Sequence, residues 1–187
     1  MDQQVTTPMV QMKTTAYIEA LPEGKRAELI NGRVYDMGAT GTAHQRIVHG
    51  LDVIIGNYIN SNHGKCEVFP APFAVYINDD KWSYLEPDLS VICAPEKIDE
   101  KGCHGAPDWV LEVVSPSSRQ MDYILKLITY RAAGVREYWI IDPDKQVVLL
   151  YHFEGNEYGR QYLFTDDIPV GIYPGFTINI ADMMARR

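Results

Sequence analysis

Residues 108–141 read DWVLEVVSPSSRQMDYILKLITYRAAGVREYWII. The opening DWVLEVV is a short, mostly apolar run with a single acid inside it, which suits a strand buried in a sheet. Ser115-Pro116-Ser117-Ser118 breaks that strand, because proline cannot donate to a ladder and serine favours turns. Residues 119–133 predict a long helix, closed by Gly134. Residues 137–141 (EYWII) predict a second buried strand, stopped by Asp142-Pro143. The short serine connection brings the helix back over the strand of Glu112. With the strands and helices on either side, the pattern describes one α/β domain with a mixed sheet.

Upstream, residues 1–13 are polar and without periodicity, which predicts a loose tail. Thr14 or Thr15 can cap a short helix through Leu21, before Pro22 and Gly24. Residues 27–37 (AELINGRVYDM) predict two strands folded at Asn31-Gly32, the strongest short hairpin signal. After the small-residue loop 38–41, apolar residues Ile47, Val48, Leu51, Ile54, Ile55 and Tyr58 recur at helical spacing, predicting an amphipathic helix over 44–60. Residues 67–77 predict a strand broken by Pro70 and Pro72, suited to an edge or a bend. Residues 87–93 (PDLSVIC) predict a strand opening with an acid, and 94–107 a loop. Downstream, residues 146–153 and 161–164 predict an antiparallel pair, followed by a short closing segment from Pro174. No repeat or interdomain linker interrupts the chain, so residues 14–187 are expected to form a single domain.

Composition narrows the function. The 187 residues carry a net charge of −8, with 46% hydrophobic and 22% charged residues, which excludes wholesale disorder and fibrous repeats. That acidity argues against a protein that coats phosphates generally, without excluding local contact with nucleic acid. The charge is uneven: residues 78–100 hold seven acids against two lysines, and residues 115–136 four basic residues against Asp122. No stretch of about 18 apolar residues predicts a membrane span, and the N-terminus lacks the features of a signal peptide. Cys66, Cys93 and Cys103 are odd in number and form no CxxC pair, so reduced thiols in a cytoplasmic protein are expected. Cys103-His104 has no matching pair of ligands elsewhere for a zinc site. The glycines form neither a P-loop nor a dinucleotide fingerprint, so no nucleotide cofactor is expected, and Ser115-Pro116-Ser117 is not a nucleophile elbow.

Two acids stand out because they interrupt apolar strands. Asp88 opens PDLSVIC and Glu112 lies inside WVLEVV. A buried carboxylate needs a basic partner, hydrogen bonds or a cation. Taken singly, each acid is explained by a structural salt bridge; on two separate buried strands they suggest a shared site. On the helix that follows, Asp122, Lys126 and Tyr130 fall at i, i+4 and i+8 on one polar face, opposed by an apolar stripe of Ile124, Leu127 and Ile128. Lys126 is therefore either a surface partner of Asp122 or the third member of the site.

Four segments in this order, AELINGRVYDM, EPDLSVI, WVLEVVSPSS with a downstream D-x-x-x-K-x-x-x-Y helix, and GVREYWIIDP, resemble the Uma-type restriction endonuclease family, a branch of the PD-(D/E)XK nuclease superfamily. The similarity runs from about residue 14 to about residue 182. It implies a restriction-endonuclease-like core, a central mixed sheet flanked by helices. Asp88, as Pro87-Asp88, matches the first acid of the superfamily motif and Glu112 the second. The superfamily usually has a lysine two residues after the second acid; Val114 stands there instead. In this branch the lysine has moved to the following helix, which points to Lys126, and Glu28 matches an acid of the branch's first strand region.

The implied activity is hydrolysis of DNA phosphodiesters by a metal-activated water. Mg²⁺ is the implied cofactor, with Mn²⁺ able to substitute, held by Asp88, Glu112 and the backbone carbonyl of Val113. Lys126 would orient the attacking water and steady the developing charge, and Glu28 would support the ion's hydration or a second ion. His44, at the start of a predicted helix, is either a contact to substrate phosphate or an ordinary helix-end histidine, and Arg119 is a second candidate phosphate contact. A homodimer is the implied assembly for cutting two strands. The rival reading is a non-catalytic protein of nuclease fold that serves as a nucleic-acid-binding or assembly module; the acidity favours it and the set Glu28, Asp88, Glu112 and Lys126 favours the enzyme.

Overall fold

The computed structural model describes residues 11–116, 118–155 and 158–185. Residues 1–10 of the expected tail, and Ser117 of the serine turn, lie outside the described residues.

The central sheet is built from α/β alternation and two hairpin excursions. Strands β3 (Glu67–Pro70), β5 (Leu89–Ile92), β8 (Trp109–Val113), β9 (Glu137–Asp142), β10 (Val147–His152) and β11 (Arg160–Leu163) stand in the order β11-β10-β9-β8-β5-β3. The β8–β9 pair is parallel and the other four are antiparallel, so the sheet is mixed. The parallel pair requires a crossover, and the helix at 119–133 supplies it.

One face of the sheet is covered by α2 (Thr42–Ser61) and α4 (Ile180–Ala185). Ile47, Val48, Leu51, Ile55 and Ile59 of α2 bury the expected apolar stripe against Leu89, Val91, Trp109, Leu111, Trp139 and Ile141. The other face packs Val110, Val114, Tyr138 and Ile140 against Tyr130 and Val135. Because side chains alternate along β8, Trp109, Leu111 and Val113 face α2 while Glu112 faces the crossover helix.

The hairpin of β1 (Ala27–Ile30) and β2 (Arg33–Asp36) turns at Asn31-Gly32, with Ile30 paired to Arg33. Both turn residues have positive φ, 49° and 77°, the backbone that a two-residue primed turn requires and that Asn-Gly adopts at low cost. The short helix α1 (Thr15–Glu19) precedes it.

Four expectations are corrected. The segment 67–77 is two elements rather than one strand: β3 at the edge of the central sheet, and β4 (Val75–Tyr76), which joins a separate small sheet. The segment 94–107 is not plain loop, because β6 (Ile98–Asp99) and β7 (Gly102–His104) pair there, β7 running beside β4. Cys66 and Cys93 are not both reduced thiols: they form a disulfide, since the edge pairing of β3 with β5 brings the two chain segments together. Cys103 is free and buried. Finally, Lys126 is not a surface partner of Asp122, because the crossover helix turns its charged face inward. Its first part, Met121–Lys126, is π-helical, followed by α3 (Leu127–Ala133). Asp122, Lys126 and Tyr130 are buried, whereas Ile124 and Ile128 are 54% and 61% exposed. The physical reason lies underneath: the acids of the sheet face supply partners that Lys126 lacks in an apolar core.

Candidate active site

The site forms where β5 begins and β8 ends. Leu89 pairs with Leu111 in the antiparallel register, so Asp88 stands opposite Glu112 on the face that the crossover helix covers. Asp88 is fixed from two sides. Its Oδ2 accepts a hydrogen bond from the Val113 amide at 2.8 Å and lies 3.0 Å from Nε2 of His44. The N-terminal turn of α2, which follows the small-residue loop after β2, delivers His44 to this position. His44 is buried, and its Nδ1 has no hydrogen-bond partner among the described residues.

Glu112 is more enclosed. Its Oε1 accepts from Lys126 Nζ at 2.8 Å and from the Tyr130 hydroxyl at 2.8 Å. Lys126 Nζ also sits 3.0 Å from Glu28 Oε1 and 3.8 Å from Asp122 Oδ1. The hairpin supplies Glu28: the β1 strand is buried throughout, and Glu28 Oε1 takes a further bond from the Glu86 amide at 3.1 Å. Asp122 is held by the serine turn, Ser118 Oγ donating to Oδ2 at 2.5 Å.

Burial raises the pKa of Glu112 well above the ordinary value; Lys126 opposes the rise, and Asp88, Asp122 and Glu28 add to it. Burial likewise pushes Asp122 up to about 6, against the pull of Lys126 and Ser118. Burial works against charge on Lys126, yet Glu112, Glu28 and Asp122 hold it well above its usual range, so the ammonium stays charged. The Tyr130 hydroxyl, raised by burial and by Glu112 and Glu28, stays protonated and able to donate.

These groups line a cavity of about 390 Å³. Glu28, His44, Asp88, Glu112, Val113, Ser118, Asp122 and Lys126 all reach it, and Met37 to Thr40 of the loop before α2 form part of its wall. The structure thus brings together Glu28, His44, Asp88, Glu112, Val113 and Lys126, the residues singled out in the sequence, with one exception. Arg119 does not line the cavity. Its guanidinium pairs with the buried Asp142 and, at 2.9 Å, with Asp144. Tyr123 donates to the same Asp142 oxygen at 2.7 Å, so this cluster ties the start of the crossover helix to the end of β9.

Asp122 and Tyr130 join the site from the helix face that carries Lys126. Their signal was present, since both share the face of Lys126, but the direction of that face was not.

The donor set suits a hard divalent cation. Four carboxylates, Glu28, Asp88, Glu112 and Asp122, face one lysine, and hard oxygens prefer Mg²⁺ or Mn²⁺. Among the described residues no three His, Cys, Asp or Glu side chains form a ready-made metal cluster.

Comparison with known proteins bears on the fold and the family. A structure titled as a putative nuclease belonging to DUF820, from Anabaena variabilis, superposes with a TM-score of 0.74 at 21% identity, covering 92% of this chain and 97% of that one. It shows the same fold, a central mixed sheet flanked by helices. An uncharacterized Synechocystis protein, slr1290, is 26% identical over 129 residues, 68% of this chain. The match spans 66% of that relative, a little under two thirds of its length. The family profile described as "Uma2: Putative restriction endonuclease" matches residues 15–181, and the chain belongs to that family.

Proposed function

We propose that the protein is a Mg²⁺-dependent endonuclease that hydrolyses phosphodiester bonds in DNA, with Mn²⁺ able to replace Mg²⁺. The observation that carries this reading is the convergence of Asp88, Glu112 and Lys126 on one cavity, the acids opposite each other on neighbouring strands and the lysine above them. Family membership and the nuclease-like fold support a nuclease; the cation and the DNA substrate are the proposal's own.

Asp88 and Glu112, with the Val113 carbonyl, would hold the cation. When bound, Mg²⁺ supplies positive charge at the phosphoryl oxygens and favours ionisation of water. The remaining work falls to the chain. His44 and the Val113 amide fix the Asp88 carboxylate in one orientation. Lys126 presents a positive charge where negative charge develops on the phosphoryl group, and donates to the attacking water. Glu28 keeps that ammonium in place. Tyr130 holds Glu112 from behind. The site's charges are mostly buried, which strengthens each interaction. A homodimer would present two such sites to the two strands of a duplex.

Duplex, single-stranded and branched DNA incubated with the protein in Mg²⁺, and separately with chelator, test the reading. We expect cleavage that requires the cation. A protein that binds DNA and leaves it intact in both Mg²⁺ and Mn²⁺ belongs to the rival class, a nuclease-fold binding module, which the net charge of −8 favours.

A further inference from the structure

Asp122 presents an oxygen with no hydrogen bond to account for its burial. Its side chain is 2% exposed, and Oδ2 is satisfied by Ser118 at 2.5 Å. Oδ1 is buried and has no hydrogen-bond partner among the described residues; the nearest cation is Lys126 Nζ, 3.8 Å away. An ionised carboxylate oxygen left this way is costly in a buried site. The arrangement does not arise from a floppy side chain, because the short bond from Ser118 fixes the carboxylate and the π-helical turn Met121–Lys126 holds both residues to the cavity. Such turns recur at functional sites.

Lys126 in turn occupies only part of its reach. It donates to Glu112 Oε1 at 2.8 Å and lies 3.0 Å from Glu28 Oε1. A divalent cation shared by Asp88 and Glu112 would repel that ammonium group at close range. Lys126 must then give up one contact while staying charged inside the protein. Closing the gap to Asp122 Oδ1 takes a shift of about 1 Å, from 3.8 Å to ordinary hydrogen-bond distance.

We propose that Asp122 is a positioning residue with a second docking place for Lys126: the ammonium rests on Glu112 and Glu28 without cation, and moves onto Asp122 Oδ1, keeping Glu28, when Glu112 takes the cation. The inference rests on the cation-binding reading given above. In it, the oxygen without a hydrogen bond is the receiving end of a two-position lysine. Tyr130 donates to Glu112 Oε1 at 2.8 Å and would keep that bond in both positions, leaving the lysine as the group that moves.

Calorimetry of the full chain with Mg²⁺ alone, followed by a crystal structure of the wild type with Mn²⁺, tests this without any nucleic acid. The expected result is a bound cation, Lys126 Nζ within about 3 Å of Asp122 Oδ1, and loss of its contact with Glu112 Oε1. A bound cation with Lys126 still on Glu112 overturns this inference and leaves the nuclease reading standing; no cation binding overturns both. A double-mutant cycle separates action through Lys126 from simple loss of charge. Asp122→Asn should weaken Mg²⁺ binding about tenfold in the wild-type background and by no more than about threefold beside Lys126→Met. Equal losses in both backgrounds would mean that Asp122 acts on the cation directly and that the lysine does not move.

Discussion

At the scale of single residues, the site is a set of charges held against their own repulsion. Asp122 shows the consequence most plainly. Its pKa in the folded protein is about 6 against an ordinary 3.8, because burial penalises the ionised form. A carboxyl raised in this way favours folding while protonated, and that advantage is lost as pH rises from about 4 through about 6. Asp122→Asn removes the ionisation while leaving an acceptor for Ser118. Relative to the wild type, the variant should therefore gain stability across that window, by up to about 3 kcal/mol. Urea unfolding at pH 4 and pH 7.5, without divalent cations, measures the difference, and an equal gap at both pH values would show that Asp122 ionises freely. Arg119 calls for a different test. Since it pairs with buried Asp142, Arg119→Ala should lower the thermal midpoint near neutral pH, and lower it less in acid as Asp142 is neutralised. Cleavage that fails through weaker DNA binding, with an unchanged midpoint, would restore Arg119 as a phosphate contact.

Asp88 and Glu112 were legible as a pair: a salt bridge explains either acid alone, but two acids on separate apolar strands suggest a shared site. Lys126 was legible only in part. Its spacing from Asp122 fits a solvated surface pair as well as a buried one, and helical arithmetic cannot choose between them. His44 could be placed at a helix start, but its partner Asp88 lies 44 positions away in sequence, and nothing local encodes that contact.

At the scale of elements, the hairpin, the long amphipathic helix and the apolar strands followed from local pattern, because each buries a face whose period the sequence displays. The crossover helix did not. Its apolar residues Ile124 and Ile128 point outward and its charged residues inward, an orientation set by the acids on the sheet beneath and by a π-turn that departs from the 3.6-residue period. The short strands β4, β6 and β7 escaped notice because two- and three-residue pairings carry no periodicity. The end of α3 offers a clean test of an element signal. Gly134 closes the helix at φ +90° with open space around the position of a Cβ. Gly134→Ala should cost about 1 kcal/mol through backbone strain alone, with cavity geometry unchanged. A midpoint equal to the wild type would mean that the helix end relaxes into another cap.

At the scale of the whole molecule, the disulfide closes a loop between Cys66 and Cys93, 27 residues apart, and ties the end of α2 to the strand that leads away from Asp88. The unfolded chain prepared without reductant should show one reactive thiol, Cys103, and three after reduction. Reduction should also lower stability by about 3.5 kcal/mol on the chain-entropy account. Three thiols without reductant would return Cys66 and Cys93 to the reduced state that spacing alone suggested. The sheet, the hairpin and the crossover helix together serve one end, in which chain segments far apart in sequence deliver Glu28, His44, Asp88, Glu112 and Lys126 to a single cavity. The central claim is that this cavity hydrolyses DNA, and the most direct test is single-turnover cleavage of duplex DNA in Mg²⁺ by wild type, Glu112→Gln and Lys126→Ala, with Mg²⁺ binding measured in parallel. The account predicts cleavage by the wild type, none by Glu112→Gln with weakened cation binding, and a rate lowered at least about a hundredfold in Lys126→Ala with cation binding retained. Cleavage by Lys126→Ala at the wild-type rate would contradict it.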